Sequence, residues 1–140
     1  VGGKQSNPVY AAMVESLDDA VGAVLKALDD HDLAANTLVL FTSDNGGLAT
    51  AEGGPFGATY NGPWREGKGF LYEGGLRVPL IARLPGVTKP GTTTAVPAVS
   101  TYLFPTVLEL CGVTPPAGGD GVSLVPALKG GAVERDALFW

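Results

Sequence analysis

Apolar residues recur at Tyr10, Met13, Val14, Leu17, Val21, Val24, Leu25 and Leu28, the i, i+3, i+4, i+7 rhythm of one helix face. The spacing predicts a helix over 8–30, with Asn7 accepting a first-turn N–H and Pro8 suited to the first helical position. Its far end, Asp29-Asp30-His31-Asp32, is a poor terminus, because the negative end of the helix dipole prefers cations. Thr37-Leu38-Val39-Leu40-Phe41-Thr42 follows as a nearly unbroken run of strand-favouring residues, the pattern of a strand covered on both faces by helices.

A second strand is expected over Arg77-Val78-Pro79-Leu80-Ile81-Ala82-Arg83-Leu84, with Pro79 near its start or on an edge. Val99 to Leu110 reads as a helix whose Pro105 falls in the first turn if the helix begins near Tyr102, and Gly112 caps it. Ser123 to Leu128 reads as a short helix, and Ala137-Leu138-Phe139-Trp140 as the beginning of a strand. At least two core strands with flanking helices give an α/β class, and 140 residues suffice for one ordinary unit, 1–140, with a core of its own.

Composition narrows the function. Nine basic against fourteen acidic residues leave a net charge of −5, which argues against a surface that neutralises nucleic-acid phosphates. No apolar run approaches the roughly 18–20 residues that cross a bilayer. One cysteine excludes an intrachain disulfide and a cysteine-based zinc cage. The 21 glycines and 11 prolines show no repeat and gather in loops, above all between Ser43 and Gly69, a stretch long enough that function is its first explanation.

Three segments carry candidate chemistry. Ser43-Asp44-Asn45-Gly46-Gly47 stands at the carboxyl end of the first strand, where open α/β sheets gather ligands, and Asp44 and Asn45 offer oxygen donors to a hard cation such as Ca²⁺ or Mg²⁺. The plain alternative is an Asn-Gly turn, although Leu48 to Gly54 do not alternate as a returning strand would. The two readings stand level, and two ligands alone do not fill a calcium sphere of roughly 6–8 oxygens. Gly62 to Gly69 resembles a phosphate loop but has Gly69 where a Ser or Thr should hold magnesium, and no apolar strand precedes it. What remains is Lys68 between glycines, an ammonium able to meet an anionic oxygen, though a lone lysine in such a loop reads first as solvated. Tyr72-Glu73-Gly74-Gly75-Leu76-Arg77 reads as a tight bend braced by Glu73 and Arg77. His31 reads as a surface residue and Cys111 as a small core residue, not a nucleophile.

Taken together, Tyr10 to Asp18, Asn36 to Gly47, Gly67-Lys68-Gly69, Glu73-Gly74-Gly75-Leu76-Arg77-Val78-Pro79, Phe104 to Leu110, Asp120 to Leu124 and Leu138-Phe139-Trp140 resemble the sulfatase family, in particular arylsulfatases and N-acetylgalactosamine-6-sulfatase-like enzymes. The resemblance implies an alkaline-phosphatase-like fold with a mixed sheet flanked by helices, and hydrolysis of sulfate esters of sugars or aryl compounds. It implies Asp44 and Asn45 as two calcium ligands, and Lys68 as a catalytic residue that binds the sulfate and steadies charge on the leaving side. A doubly charged cation and an ammonium both suit negative charge developing on the reacting oxygens.

The departures are equally specific. The family's formylglycine arises from a Cys or Ser in a Cys/Ser-x-Pro-x-Arg motif, whereas Cys111-Gly112-Val113-Thr114-Pro115 lacks the arginine and the spacing. The family's early aspartate pair and active-site histidines have no counterparts, and Tyr102 stands where relatives often carry Asp. The expectation is an internal piece of a sulfatase, central to C-terminal and truncated at both ends, inactive alone. Its substrate in the full protein would be a sulfated small molecule or glycan, with periplasmic or secreted localisation implied by relatives. The alternatives are a phosphodiesterase or phosphonate hydrolase of the same superfamily, or a non-catalytic binding or assembly module. Exposed strand edges would favour self-association.

Overall fold

The computed structural model describes residues 5–53 and 57–138. Contacts divide the chain into two compact units, residues 1–81 and 82–140. The first opens with helix α1, Pro8–Asp30, matching the expected span, and Asn7 caps it by accepting from the Val9 and Tyr10 N–H groups at 3.1 Å. Its acidic end closes by geometry rather than by charge. Leu33 N–H donates to the Leu28 carbonyl at 2.8 Å and Asp32 N–H to the Asp29 carbonyl at 3.1 Å, a Schellman closure with Asp32 in the left-handed region at φ 57°. His31 is exposed, as expected.

The face that defined α1 in the sequence is largely uncovered. Met13 is 64% exposed, Leu17 52% and Val24 61%, and no residue of the helix is buried. Periodicity was sufficient to specify the helix, but burial requires a partner surface that the described residues do not supply.

Strand β1 is Val39–Thr42, shorter than the expected run because Leu33 to Thr37 first make a tight turn, closed by Thr37 Oγ1 donating to the Leu33 carbonyl at 2.8 Å. The expectation of a strand buried on both faces is corrected: β1 is half-buried and Thr42 exposed. Its run of apolar residues signals a capacity for burial on two faces, and only tertiary neighbours can fill it. A single helical turn, α2, Glu73–Leu76, occupies the expected bend, and Arg77 Nη1 reaches back to Glu73 Oε2 at 3.0 Å. Strand β2, Leu80–Arg83, then pairs with β1. Pro79 precedes it, where its missing N–H costs nothing, and its carbonyl accepts from Thr42 Oγ1 at 2.9 Å. Thr42 meets Pro79 while Gly46 N–H meets the Gly75 carbonyl at 2.9 Å, so the partner retreats as the chain advances and the pair runs antiparallel.

In the second unit a tight turn at Ser100–Tyr102 leads into α3, Leu103–Leu110, with Pro105 in its first turn as expected. Gly112 ends it at φ 72°, with Val113 N–H donating to the Leu108 carbonyl at 2.9 Å. Cys111, expected in the core, is exposed: it takes the cap position where the chain turns out of the helix. The last helix, α4, is Val125–Leu128. Ala137 and Leu138 form no strand, against expectation, since no strand among the described residues offers them a ladder; Phe139 and Trp140 lie outside those residues.

The core of this unit surrounds one hydroxyl. Thr106, 1% exposed, donates to the Tyr102 carbonyl at 2.6 Å and accepts from the Leu124 N–H at 2.8 Å. Tyr102, Leu124 and Val125 are buried around it.

Two substitutions test these local accounts. Asp32→Gly relieves a left-handed residue bearing a Cβ and should raise stability by about 0.5–1 kcal/mol in urea unfolding. Thr106→Val keeps the shape but strands the Leu124 N–H, and should cost about 1–3 kcal/mol in the same measurement.

Candidate active site

The chain leaves β1 into the turn at Ser43-Asp44-Asn45, where Ser43 Oγ donates to the Asn45 carbonyl at 2.9 Å and draws the backbone into a bend. Asp44 is exposed. Asn45 is half-buried, and its amide nitrogen donates to the Gly46 carbonyl at 3.0 Å, which leaves its carbonyl oxygen as the open end. The turn thus offers a carboxylate and an amide oxygen beyond the end of a strand. The alternative reading, an Asn-Gly hairpin, does not form: the chain continues into an irregular loop rather than a returning strand, as the lack of alternation over Leu48 to Gly54 implies.

What shapes that loop is close packing of backbone on backbone. A Cβ on Gly46 would overlap the Gly74 carbonyl, and one on Gly67 would overlap the Gly47 carbonyl. Glycine is required at both places by space, not by φ. In return the two chain segments bond directly: Gly46 N–H to the Gly75 carbonyl at 2.9 Å, Lys68 N–H to the Gly47 carbonyl at 3.1 Å and Gly74 N–H to the Arg65 carbonyl at 2.9 Å.

Asn61 locks this arrangement. Its Oδ1 accepts from Gly47 N–H at 3.0 Å, while its Nδ2 donates to the Gly47 carbonyl at 2.8 Å and to the Glu66 carbonyl at 3.0 Å. Glu66 is held at φ 60°, a left-handed conformation that costs a non-glycine residue on the order of 1 kcal/mol and that the amide bond to its carbonyl offsets. From the other side, Gln5 Oε1 accepts from Thr59 Oγ1 at 2.8 Å, and Gln5 Nε2 donates to the Tyr60 carbonyl at 2.6 Å.

These bonds bring the predicted residues into one neighbourhood. Lys68 is bonded through its backbone to Gly47, which lies three residues after Asp44, a chain reach of at most about 11 Å. The Lys68 side chain is exposed, and no salt bridge engages it or Asp44 among the described residues. Nor do the described residues hold any cluster of three or more His, Cys, Asp or Glu side chains fit for a metal. Asp44 and Asn45 therefore suit a hard cation as part of a donor set and do not complete one. Asn61 escaped the sequence reading, although its place before Gly62-Pro63, among glycines and opposite a second glycine pair, is the kind of position where a side-chain amide substitutes for a backbone partner.

The clamp is testable. Asn61→Ala should cost about 2–3 kcal/mol, because three part-buried backbone groups lose a partner. Hydrogen exchange should show the Gly47 amide losing protection. Asn61→Asp keeps the acceptor for Gly47 N–H but sets a carboxylate against two carbonyls, and should fare no better than alanine.

With the geometry in view, comparison with known proteins is specific. The family model described as Sulfatase matches residues 3–113. Steryl-sulfatase of Mus musculus is 43% identical over 142 residues, covering 98% of this chain and 23% of its own length. A sulfatase structure from Pseudoalteromonas sp. superposes with a TM-score of 0.78 at 34% identity, covering 92% of this chain and 26% of that one. A further structure, in complex with its substrate D-glucosamine-2-N,6-O-disulfate, does so with a TM-score of 0.69 at 29% identity, covering 88% and 23%. The chain spans about a quarter of the length of the curated relatives it matches. Its sequence over most of its length and its fold place this chain in the sulfatase family, with the alkaline-phosphatase-like architecture of that family.

Proposed function

We propose that the protein to which this chain belongs hydrolyses sulfate monoesters, and that this chain supplies Lys68 to the sulfate and Asp44 and Asn45 to a calcium ion. The observation that carries the reading is the Lys68 N–H bond to the Gly47 carbonyl, reinforced by the Asn61 clamp, which draws the lysine loop against the Asp44-Asn45 turn in a chain of the sulfatase family. Two oxygen donors on a turn suit a hard, oxygen-seeking cation, and the solvent-exposed ammonium of Lys68 suits an anion.

In this reading calcium, when bound, supplies Lewis-acid neutralisation of the sulfuryl oxygens. The Asp44 carboxylate and Asn45 carbonyl hold their side of the metal, with Asn45 oriented by its bond to Gly46 and the turn closed by Ser43. The Lys68 ammonium pairs with a sulfate oxygen in the ground state and meets the negative charge that builds on the leaving oxygen as the ester bond breaks. Gly67 lets the lysine loop close on Gly47, and Gly69 leaves open the space beside Lys68.

The reaction's nucleophile is not among these residues. Cys111, the sole cysteine, lies in Cys-Gly-Val-Thr-Pro at the exposed end of α3, without the arginine of the formylglycine motif. The 140-residue chain, purified alone with calcium, should therefore not turn over an aryl sulfate. The binding roles are separable from turnover. Calcium titration followed by calorimetry should show weak binding that Asp44→Ala abolishes, and Lys68→Ala should weaken methyl sulfate binding at least tenfold without changing the calcium isotherm. Calcium binding that survives Asp44→Ala, or sulfate affinity indifferent to Lys68, would remove the corresponding role.

A further inference from the structure

Ahead of α1, one exposed side chain makes three hydrogen bonds to residues 54 and 55 positions further along the chain. Gln5 Oε1 accepts from Thr59 Oγ1 at 2.8 Å and from the Tyr60 N–H at 3.3 Å, and Gln5 Nε2 donates to the Tyr60 carbonyl at 2.6 Å. With a donor and an acceptor on one planar group, the carboxamide takes both sides of the Tyr60 backbone as a neighbouring strand would.

What these bonds fix lies closer to Lys68. Thr59 is β-branched, so a single χ1 angle sets both its hydroxyl and its methyl. The hydroxyl is held by Gln5, and the methyl lies against Gly47, in the space that a Cβ there would need. The Gly47 carbonyl is the one that accepts from the Lys68 N–H at 3.1 Å. Next along the chain, the Tyr60 ring folds over Gly62 in the same manner, and Asn61 between them makes the clamp to Gly47 and Glu66. Gln5 thus reaches the lysine loop by two routes that meet at Gly47: the Thr59 methyl and the Tyr60-Asn61 backbone.

We infer that Gln5 is a positioning residue for Lys68: by fixing Thr59 and Tyr60 it seats Thr59 on Gly47 and so sets where the lysine loop presents its ammonium to the sulfate. It acts only through Thr59, Tyr60 and Gly47. A tether alone would hold the chain ahead of α1 and leave the Gly47–Lys68 bond as it is. The inference rests on the assignment of Lys68 to the sulfate and adds the segment before α1 to the support of that site.

The test uses the whole chain with calcium, methyl sulfate as the probe, and amide hydrogen exchange. In Gln5→Ala the Lys68 amide should exchange about threefold faster and methyl sulfate should bind about threefold more weakly, the size of one modest hydrogen bond. The Arg77 amide, bonded to the Glu73 carbonyl at 2.8 Å at the end of α2, should exchange as before. Thr59→Val keeps a methyl for Gly47 and removes the hydroxyl, so it should act in the same direction. Added to Gln5→Ala it should give less than the product of the two effects, because both variants break one shared bond. An unchanged Lys68 amide or an unchanged methyl sulfate affinity in Gln5→Ala, effects of the two variants that multiply, or faster exchange that extends equally to Arg77 overturns the inference. In each of those cases a methyl sulfate affinity that still falls in Lys68→Ala keeps the assignment of Lys68 standing. If Lys68→Ala instead leaves methyl sulfate binding as before, that assignment falls and this inference falls with it.

Discussion

The carboxamide of Asn61 is the constraint on which the candidate site depends. It accepts from one N–H and donates to two carbonyls, and so joins the turn after β1, the segment before Lys68 and the loop between them. A side-chain amide has the same donor and acceptor as a peptide group, which lets it stand in for a strand partner where no strand exists. The glycines around it make the same contact possible at the backbone, since carbonyls of facing segments occupy the space that a Cβ would need. The result, among the described residues, is a loop ordered by polar bonds and close backbone contact.

That mode of ordering explains how exposed residues come to be held in position. Asp44 and Lys68 are both solvent-exposed, and among the described residues neither side chain is held by a hydrogen bond or salt bridge. Their placement is inherited from Ser43, Gly46, Gly47 and Asn61, which bond behind them. This division leaves charged groups exposed to solvent above a backbone whose own hydrogen bonds are made.

The two units solve the burial problem differently. Residues 82–140 enclose a small core in which the Thr106 hydroxyl links α3 to the start of α4. In residues 1–81 the long α1 keeps most of its apolar face in solvent, and β1 is only half-covered. A chain that spans about a quarter of its relatives' length carries the helix and strand signals of the family and, among the described residues, few of the surfaces that answer them.

Local physics determined a great deal here from sequence alone. The 3.6-residue rhythm and the Asn7-Pro8 start set α1, Pro105 and Gly112 bounded α3, and the Glu73–Arg77 pair was legible from the two charges that flank the glycine bend. From the residues alone Asp44 and Asn45 read equally as cation ligands or as a plain turn, and Lys68 reads first as solvated; it is the resemblance to sulfatases that implies their roles. Tertiary structure decided what spacing does not encode. It brought Lys68 to Gly47 across twenty-one residues of loop, ended α1 with a left-handed Asp32 in place of a charge-matched cap, and left Cys111 and the face of α1 in solvent. The reason is the range of the interactions: helix periodicity and capping act within a few residues of chain, whereas the Asn61 clamp and the burial of an apolar face are contacts between distant segments, which come into being only when the chain has folded.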